Sequence, residues 1–184
     1  MAKLTAALEI KSIDANGRFA GYASVFDVID SQRDMVLRGA FKNTLSSRMG
    51  QIKLLWQHQW EEPIGVLMKI FEDEKGLYVE GLLLMEVARA REAYALLKAG
   101  AVNGLSIGYT PGRWMRDPDS GVRKLQVIDL WEISLVTMPA NSAAKVTVVK
   151  GNLLDIDEAQ AIRSGAMIQL ADAIDRALMM VKRC

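Results

Sequence analysis

Residues 86–109 read EVARAREAYALLKAGAVNGLSIGY, and the order of the helical and extended patterns in this stretch decides the fold class. Residues 86–99 combine strong helix formers with an acid at the start and Lys98 in the last turn, and Gly100 then occupies the position that commonly ends a helix. Residues 102–109 return to an extended pattern. The stretch therefore predicts a helix followed, after a glycine, by a strand.

Ser106 lies within that predicted strand and formally completes the pattern G-x-S-x-G with Gly104 and Gly108. In α/β-hydrolases this pattern marks the nucleophile, with a strand before the serine, a helix after it and the histidine later in the chain. Here the elements are reversed and the single histidine, His58, precedes the serine. The α/β-hydrolase fold is therefore excluded. The glycines either leave room for a substrate backbone beside Ser106 or flank a strand at a tight bend.

The segments on both sides of this stretch are mostly extended. Upstream, the patterns predict a hairpin with its turn at residues 14–17, strands at 3–12, 18–26, 52–56, 64–71 and 77–84, an interruption at 61–63, and a short amphipathic helix at 37–49. Downstream, they predict a polar loop at 113–121, a long strand or a strand pair broken at a bulge at 122–136, and a short strand at 143–149. We expect an α+β, mainly β protein, a mixed barrel or sandwich of six to eight strands with two helices packed outside.

The C-terminal segment has a different character. Asp155 and Glu158 form a capping-box-like start, and an apolar stripe runs from Met167 to Val181 at helical spacing. The chain is therefore divided into a barrel of residues 1–150 and a helical tail of residues 151–184. The stripe either packs on the barrel, pairs with a second copy to form a homo-oligomer, or docks to another protein.

Composition excludes several classes of function. The chain has 184 residues, with one His and one Cys, so neither a structural zinc site nor an intrachain disulfide is expected, and no cofactor motif is present. The net charge of +1 lacks the basic excess typical of nucleic-acid binding. No apolar run approaches the roughly 20 residues of a membrane helix, and no signal peptide is evident. We expect an intracellular protein without nucleic-acid or membrane partners.

His58 has two interpretations. A lone histidine is more often a half-buried imidazole whose hydrogen bonds are satisfied by backbone carbonyls. It acts in catalysis only if a nucleophile and an orienting acid join it. His58 follows the apolar strand at 52–56 and enters a polar stretch, where a scaffold can present a side chain to a cleft. Ser106 is the candidate nucleophile.

Glu132 is the candidate acid. Strand alternation places it on one face with Leu130 and Ser134, so its carboxylate needs a partner. That partner is either the imidazole of His58 or a cation such as Arg123 or Lys124. Weaker alternatives for the same role are Asp27, Asp34 and Asp129, of which Asp27 and Asp34 are more simply interpreted as turn and helix-entry residues.

Four segments in register resemble one known family. They are GYASVFDV with DMVLRGAFKNTL (21–28 and 34–45), LLWQHQWEEPIG (54–65), the opening stretch (86–109) and LWEISLVTMPANSAAKV (130–146). Over residues 19–149 the chain closely resembles the HK97-type prohead serine proteases of tailed bacteriophages. The resemblance implies a fold like that of the herpesvirus assemblins, a β-barrel with surrounding helices.

The resemblance also implies site residues. It places the catalytic histidine on His58, the nucleophile on Ser106 and the third member on Glu132. Herpesvirus enzymes use a second histidine as third member, which this chain lacks. Assemblin-type enzymes form the oxyanion hole from a loop after the third member, which here gives the backbone of Ala140 and Asn141. The alternative interpretation of that loop is a turn that ends the strand.

The family implies a function inside the phage prohead, in the host cytoplasm. The expected substrate is the major capsid protein precursor with its scaffold region, and the enzyme is expected to cleave itself as well, which would make the tail an assembly, docking or autoprocessing segment. The alternative is a non-catalytic capsid-assembly or scaffolding module on the same fold. Sequence alone does not separate these two hypotheses.

Overall fold

The computed structural model describes residues 16–147. The helices are α1 (Lys42–Arg48) and α2 (Ala88–Lys98), with a 3-10 turn at Met49–Gln51. The strands are β1 (Arg18–Val25), β2 (Asp34–Val36), β3 (Lys53–Trp56), β4 (Gln59–Glu72), β5 (Gly76–Leu83), β6 (Gly104–Arg116), β7 (Arg123–Val136) and β8 (Val146–Thr147). The strand predicted at 3–12, the tail helix and the division at residue 150 lie outside the described residues.

Strand β7 is the centre of the sheet. β6 pairs antiparallel with β7 from Gly104↔Val136 to Arg116↔Arg123. One edge of β7 is therefore occupied by β6 along the whole length of the strand. β2 and β3 therefore share the other edge, both parallel to β7, and the sheet continues through β4, β5, β1 and β8. The arrangement puts β6, β7 and β3 side by side.

The segment at 144–147 brings the two ends of the sheet together. β8 pairs with β1, while the backbone N–H of Leu105 donates to Ala144 O and that of Val146 donates to Asn103 O. The same short segment thus hydrogen-bonds to both β1 and the start of β6. The sheet curls back on itself and encloses its apolar face.

The core fills that curled sheet. Along β5 the residues Leu77, Val79 and Leu83 are buried in alternation with more exposed ones, as expected for a strand with one face on the core. α2 turns Ala90, Ala93 and Leu97 toward β4 and β5. The largest fully buried side chains include Phe41, Leu54, Ile64, Leu105, Leu125, Ile128, Leu130 and Ile133.

Several predicted boundaries are wrong. No interruption occurs at 61–63, and β4 runs through Pro63. The pairing of β4 with β5 does not extend to Pro63, and the pairing with β3 shifts register beside it. The missing N–H of this proline therefore removes no hydrogen bond between strands. The helix predicted at 37–49 is only α1, since Gly39 has φ +89° and residues 38–41 form turns. β6 also continues into the predicted polar loop as far as Arg116.

Candidate active site

Ser106 lies near the start of β6. Its Cα partner on the neighbouring strand is Ser134 of β7, and Gly108 is paired in the same way with Glu132. Because side chains of directly paired residues share a face of the sheet, the serine hydroxyl and the carboxylate project to the same side. Ser106 is 9% exposed, so it is largely enclosed but still reaches the cavity beside it.

His58 lies in the two-residue turn between β3 and β4. Both central residues have positive φ, 51° for Gln57 and 61° for His58, a conformation that non-glycine residues seldom adopt. Contacts with β7 and with the residue after it hold the turn: the Gln57 N–H donates to Leu135 O (3.0 Å), and the Gln57 side-chain amide donates to Thr137 Oγ1 (2.7 Å). The turn thus presents the imidazole from a fixed backbone.

The imidazole connects the serine to the acid. Nε2 of His58 is 2.9 Å from Ser106 Oγ, and Nδ1 is 2.6 Å from Glu132 Oε1. A carboxylate oxygen accepts, so Nδ1–H donates to it and Nε2 is left to accept from the serine hydroxyl. The side chain of His58 is 44% exposed whereas that of Glu132 is 2% exposed. The base therefore faces the cavity and the acid lies behind it.

The competing partners for Glu132 are engaged elsewhere. Arg123 pairs with Asp34, and the ammonium of Lys124 lies 2.7 Å from Asp117 Oδ2. Asp129, one of the weaker candidates for the acid, forms an exposed ion pair with Arg48 at 2.6 Å instead. Asp27 has φ 58° and is a turn residue, as its position predicts.

The two glycines around Ser106 accommodate groups of the protein itself. A Cβ on Gly108 would lie 2.1 Å from Glu132 Oε1, and a Cβ on Gly104 would lie 2.7 Å from both Pro139 Cδ and Val136 O. Gly108 lets the acid cross β6 toward His58, and Gly104 lets the segment after β7 pack beside the serine. Both glycines lie within β6, and the pairing with β7 shifts register directly after Gly108, so the strand is irregular at that glycine.

A cavity of about 600 Å³ opens in front of Ser106 and His58. One wall is formed by Met138, Ala140 and Asn141, which follow β7. This segment is anchored: the Asn141 amide nitrogen donates to Val25 O (2.9 Å), and Ala140 O accepts from the Ser31 N–H (3.1 Å). Within residues 16–147 no acceptor is found for the backbone N–H groups of Ala140 and Asn141.

A second polar cluster, which sequence reasoning missed, lines the other side of the cavity. Asp34 is 2% exposed and accepts from Arg123 through Nε (2.7 Å) and Nη2, and from the Tyr109 hydroxyl (2.8 Å). Burial raises the pKa of Asp34, but the hydrogen bonds from Arg123 and Tyr109 outweigh it and lower the pKa overall. Burial and the bond to Asp34 raise the pKa of Tyr109. Asp34 belongs to β2 and not to a helix entry, which corrects its sequence interpretation.

Two further properties concern residues 16–147 alone. No group of three or more His, Cys, Asp or Glu side chains in this part of the chain is arranged to hold a metal ion. Neither of its helices has the length and apolar character needed to cross a membrane.

A serine, an imidazole and a buried carboxylate in series form the arrangement used by serine hydrolases, carried here on a curled sheet that is mostly antiparallel. Residues 6–158 match the family model described as caudovirus prohead serine protease. The chain belongs to this family.

Three phage proteins are similar to the chain in sequence. It is 38% identical over 137 residues to the prohead protease of Enterobacteria phage HK97, covering 73% of this chain and 60% of that protein. It is 31% identical over 174 residues to the capsid polyprotein of Pseudomonas phage PAJU2, covering 90% of this chain and 25% of that protein. It is 26% identical over 152 residues to the prohead protease of Escherichia phage T5, covering 77% and 69%. The chain thus spans 60% of the length of the first relative and 25% of the second, less than two thirds of each.

Solved structures with little sequence identity have the same fold. The capsid assembly protease of bacteriophage T4 superposes with a TM-score of 0.52 at 10% identity, covering 73% of this chain and 81% of that one. The KSHV protease, solved with a hexapeptide phosphonate inhibitor, has a TM-score of 0.50 at 13% identity, covering 70% and 63%. The mainly β, assemblin-like fold expected from the sequence is confirmed.

Proposed function

We propose that this protein is a serine endopeptidase that cleaves the capsid precursor and its scaffold region inside the phage prohead, in the host cytoplasm, with Ser106, His58 and Glu132 as its catalytic triad. The observation that carries the proposal is the unbroken series from Ser106 Oγ through His58 to the buried Glu132, with distances of 2.9 and 2.6 Å. Membership of the prohead serine protease family supports the reaction class.

The proton path follows from the tautomer. Ser106 Oγ attacks the scissile carbonyl carbon while His58 Nε2 accepts the hydroxyl proton, and the same nitrogen then donates that proton to the leaving amine. Glu132 keeps Nδ1–H in place and stabilises the imidazolium that forms. A water molecule then attacks the acyl-enzyme with the same proton transfers through His58, and the acyl group is released from Ser106. The half-exposed position of His58 lets a substrate reach Nε2 while Glu132 stays shielded.

The tetrahedral intermediate needs donors for its oxyanion. The backbone N–H groups of Ala140 and Asn141 suit this role because they border the same cavity as Ser106 and have no acceptor within residues 16–147. The Asn141 side chain is occupied by Val25 O and the Ala143 N–H, so it anchors the segment. Gly104 supports the same placement, since it allows Pro139 to pack against β6.

The names of the relatives support a capsid substrate. Two of them are prohead proteases, and the third is a capsid polyprotein, in which the stretch similar to this chain is a quarter of the whole. We include self-cleavage and a homo-oligomer formed through the tail of residues 151–184 in the proposal. Comparing the masses of the expressed wild-type and Ser106→Ala chains tests self-cleavage, and sedimentation of the Ser106→Ala chain tests the oligomer.

The decisive experiment uses the cognate capsid precursor as substrate. Ser106→Ala and His58→Ala should each lower the rate of cleavage by at least about 1,000-fold. Ser46→Ala, at an exposed serine of α1, is the matched control and should cleave at the wild-type rate. A fluorophosphonate probe should label the wild-type chain only where both Ser106 and His58 are intact. Wild-type cleavage by either triad variant, or a folded chain assembled in proheads that neither cleaves nor takes the label, would favour the non-catalytic scaffold module.

A further inference from the structure

The hydroxyl of Ser134 joins the acid and the base of the candidate triad. Ser134 is fully buried (0% exposed) and lies on β7, two residues beyond Glu132 and on the same face of the strand. Its Oγ is 2.6 Å from Glu132 Oε2 and 3.0 Å from the backbone nitrogen of His58. The backbone N–H can only donate, so the hydroxyl accepts from His58 and gives its one proton to the carboxylate.

These two bonds fix the carboxylate. Glu132 receives the His58 ring N–H on Oε1 and the Ser134 hydroxyl on Oε2, so each oxygen has its own donor. Rotation of the carboxylate about its last bond would break both. Oε1 therefore stays directed at the imidazole. Bonds to a charged acceptor are about twice as strong as neutral ones, which makes this orientation firm.

The same hydroxyl supports the backbone of the base. His58 has φ 61° and the preceding Gln57 has φ 51°, and such conformations persist only where surrounding contacts hold them. Gln57 is held through its backbone and its side chain by Leu135 and Thr137. The backbone N–H of His58 itself is held by Ser134 Oγ.

We propose that Ser134 is a positioning residue for the reaction proposed above, fixing the carboxylate of Glu132 and the left-handed backbone of His58 with one hydroxyl. It does not line the cavity, so it acts through these two residues and not on the substrate. Loss of the hydroxyl lets Glu132 rotate and the turn relax, and the imidazole then loses its fixed tautomer and direction.

The first test is kinetic. Ser134→Ala should lower kcat for the capsid precursor by about tenfold to a hundredfold, because a hydrogen bond to a charged group is lost. KM should stay within about twofold, since no substrate contact is removed. Unchanged kcat in a folded variant, or a loss expressed mainly in KM, would overturn the proposal.

The second test observes His58 directly and needs no turnover. The chain has one histidine, so selective ¹⁵N-histidine labelling of the full chain gives the NMR signals of this imidazole alone. In the Ser106→Ala background, we expect a single Nδ1–H tautomer with a slowly exchanging proton. Adding Ser134→Ala should give mixed tautomers and exchange faster by about tenfold or more, since the carboxylate is no longer fixed. An identical spectrum would refute positioning whether or not the protease proposal holds.

Thr44 offers a matched control. Its buried hydroxyl also bridges to β7, donating to Ile128 O (2.8 Å) and accepting from the Leu130 N–H (3.2 Å), on a different part of that strand from the His58 turn. Thr44→Val should lower stability while leaving kcat and the His58 spectrum unchanged. Equal effects of both substitutions on the spectrum would mean that any lost hydroxyl on β7 disturbs the turn, against the proposal.

Ser134→Cys covers the case in which Ser134→Ala does not fold. The thiol keeps nearly the same size and is a weak donor and acceptor. It should give a kcat and a proton exchange rate between those of wild type and the full loss expected for alanine. A cysteine variant with wild-type values in both measurements would contradict the proposal.

Discussion

Two buried carboxylates differ in their position and in the chemistry of their partners: Asp34 lines the cavity, whereas Glu132 lies behind His58. Asp34 and Glu132 each have side chains that are 2% exposed. Asp34 is held by the guanidinium of Arg123 and the phenol of Tyr109. Glu132 is held by an imidazole and a serine hydroxyl. Burial alone therefore does not distinguish an acid that takes part in chemistry from one that holds the fold.

The partners make the distinction. Arginine stays charged at any accessible pH, so its pair with Asp34 persists as long as Asp34 is ionised, and it ties β2 to β7. Imidazole can accept a proton in the course of a reaction, so a carboxylate behind it can stabilise a charge that is present only during that reaction. We therefore propose that Asp34 serves stability and Glu132 serves catalysis, and the following variants test that division.

The largest effect is expected for Glu132→Gln. The amide keeps the shape of the acid but cannot stabilise the imidazolium, and its NH2 group favours the wrong tautomer, so kcat should fall about 100- to 10,000-fold. The free energy of unfolding should change less than it does for Asp34→Asn. Kinetics on the capsid precursor and urea unfolding measure the two effects. Glu61→Gln, at an exposed glutamate of β4, is the control. Full activity of Glu132→Gln would mean that another acid is the third member of the triad.

For Asp34→Asn we expect the larger effect on stability and the smaller effect on kcat. Removing the charge at the buried Asp34 leaves the partly exposed Arg123 without its charged partner, so the free energy of unfolding should fall by about 2–3 kcal/mol. The loss in kcat should be smaller than for Glu132→Gln. Asp129→Asn removes an acid from an exposed ion pair and should cost less than about 1 kcal/mol. The division breaks down if Asp34→Asn stops cleavage while stability is unchanged.

Gly108→Ala perturbs Glu132 without touching its chemistry. The new Cβ would lie 2.1 Å from Oε1, so the carboxylate must move away from His58. We expect kcat to fall about tenfold or more, since misplacing a positioned group by 1 Å is costly. Gly112→Ala on the same strand is the control, because its nearest neighbours, Val127 Cγ1 and Val127 O, lie at 3.3 Å and need to shift by only a few tenths of an ångström. Equal kinetics for the two variants would show that the acid does not need its present position.

The sequence was informative where chemistry depends on residue type. The residues of the candidate triad could be predicted from the sequence. A single histidine, a glycine-flanked serine and a glutamate on an apolar strand face identify the candidates, and the family resemblance places them in one site. Their geometry was not accessible, because it depends on the register of β6 against β7, which pairs Gly108 with Glu132. Register is set by packing across strands and not by any local pattern.

Two features were hidden for physical reasons. The turn at Gln57 and His58 lacks the glycine, asparagine and aspartate that usually occupy two-residue hairpin turns, and contacts with β7 and with the residue after it hold it in this conformation. Asp34 and Arg123 are 89 residues apart, and the local sequence around Asp34 predicts only the entry to a helix. The structural acid was therefore misassigned, whereas the acid behind His58 was found.

The smallest expected effect is a change in how the free energy of unfolding depends on pH. It shows whether Asp34 stabilises the fold through its charge or only through its shape. Burial raises the pKa of Asp34, but the bonds from Arg123 and Tyr109 lower it more, so the folded pKa is below the ordinary value of about 3.9. On acidification the unfolded chain takes up this proton first. The contribution of Asp34 to stability is therefore present above pH 4 or so and is lost as the pH falls through the lower, folded pKa. Urea unfolding of wild type and Asp34→Asn from about pH 6 to about pH 2.5 should show the gap between them narrowing. A gap that stays constant with pH would mean that shape and not charge makes Asp34 the structural acid, and the contrast with Glu132 would then lose its electrostatic basis.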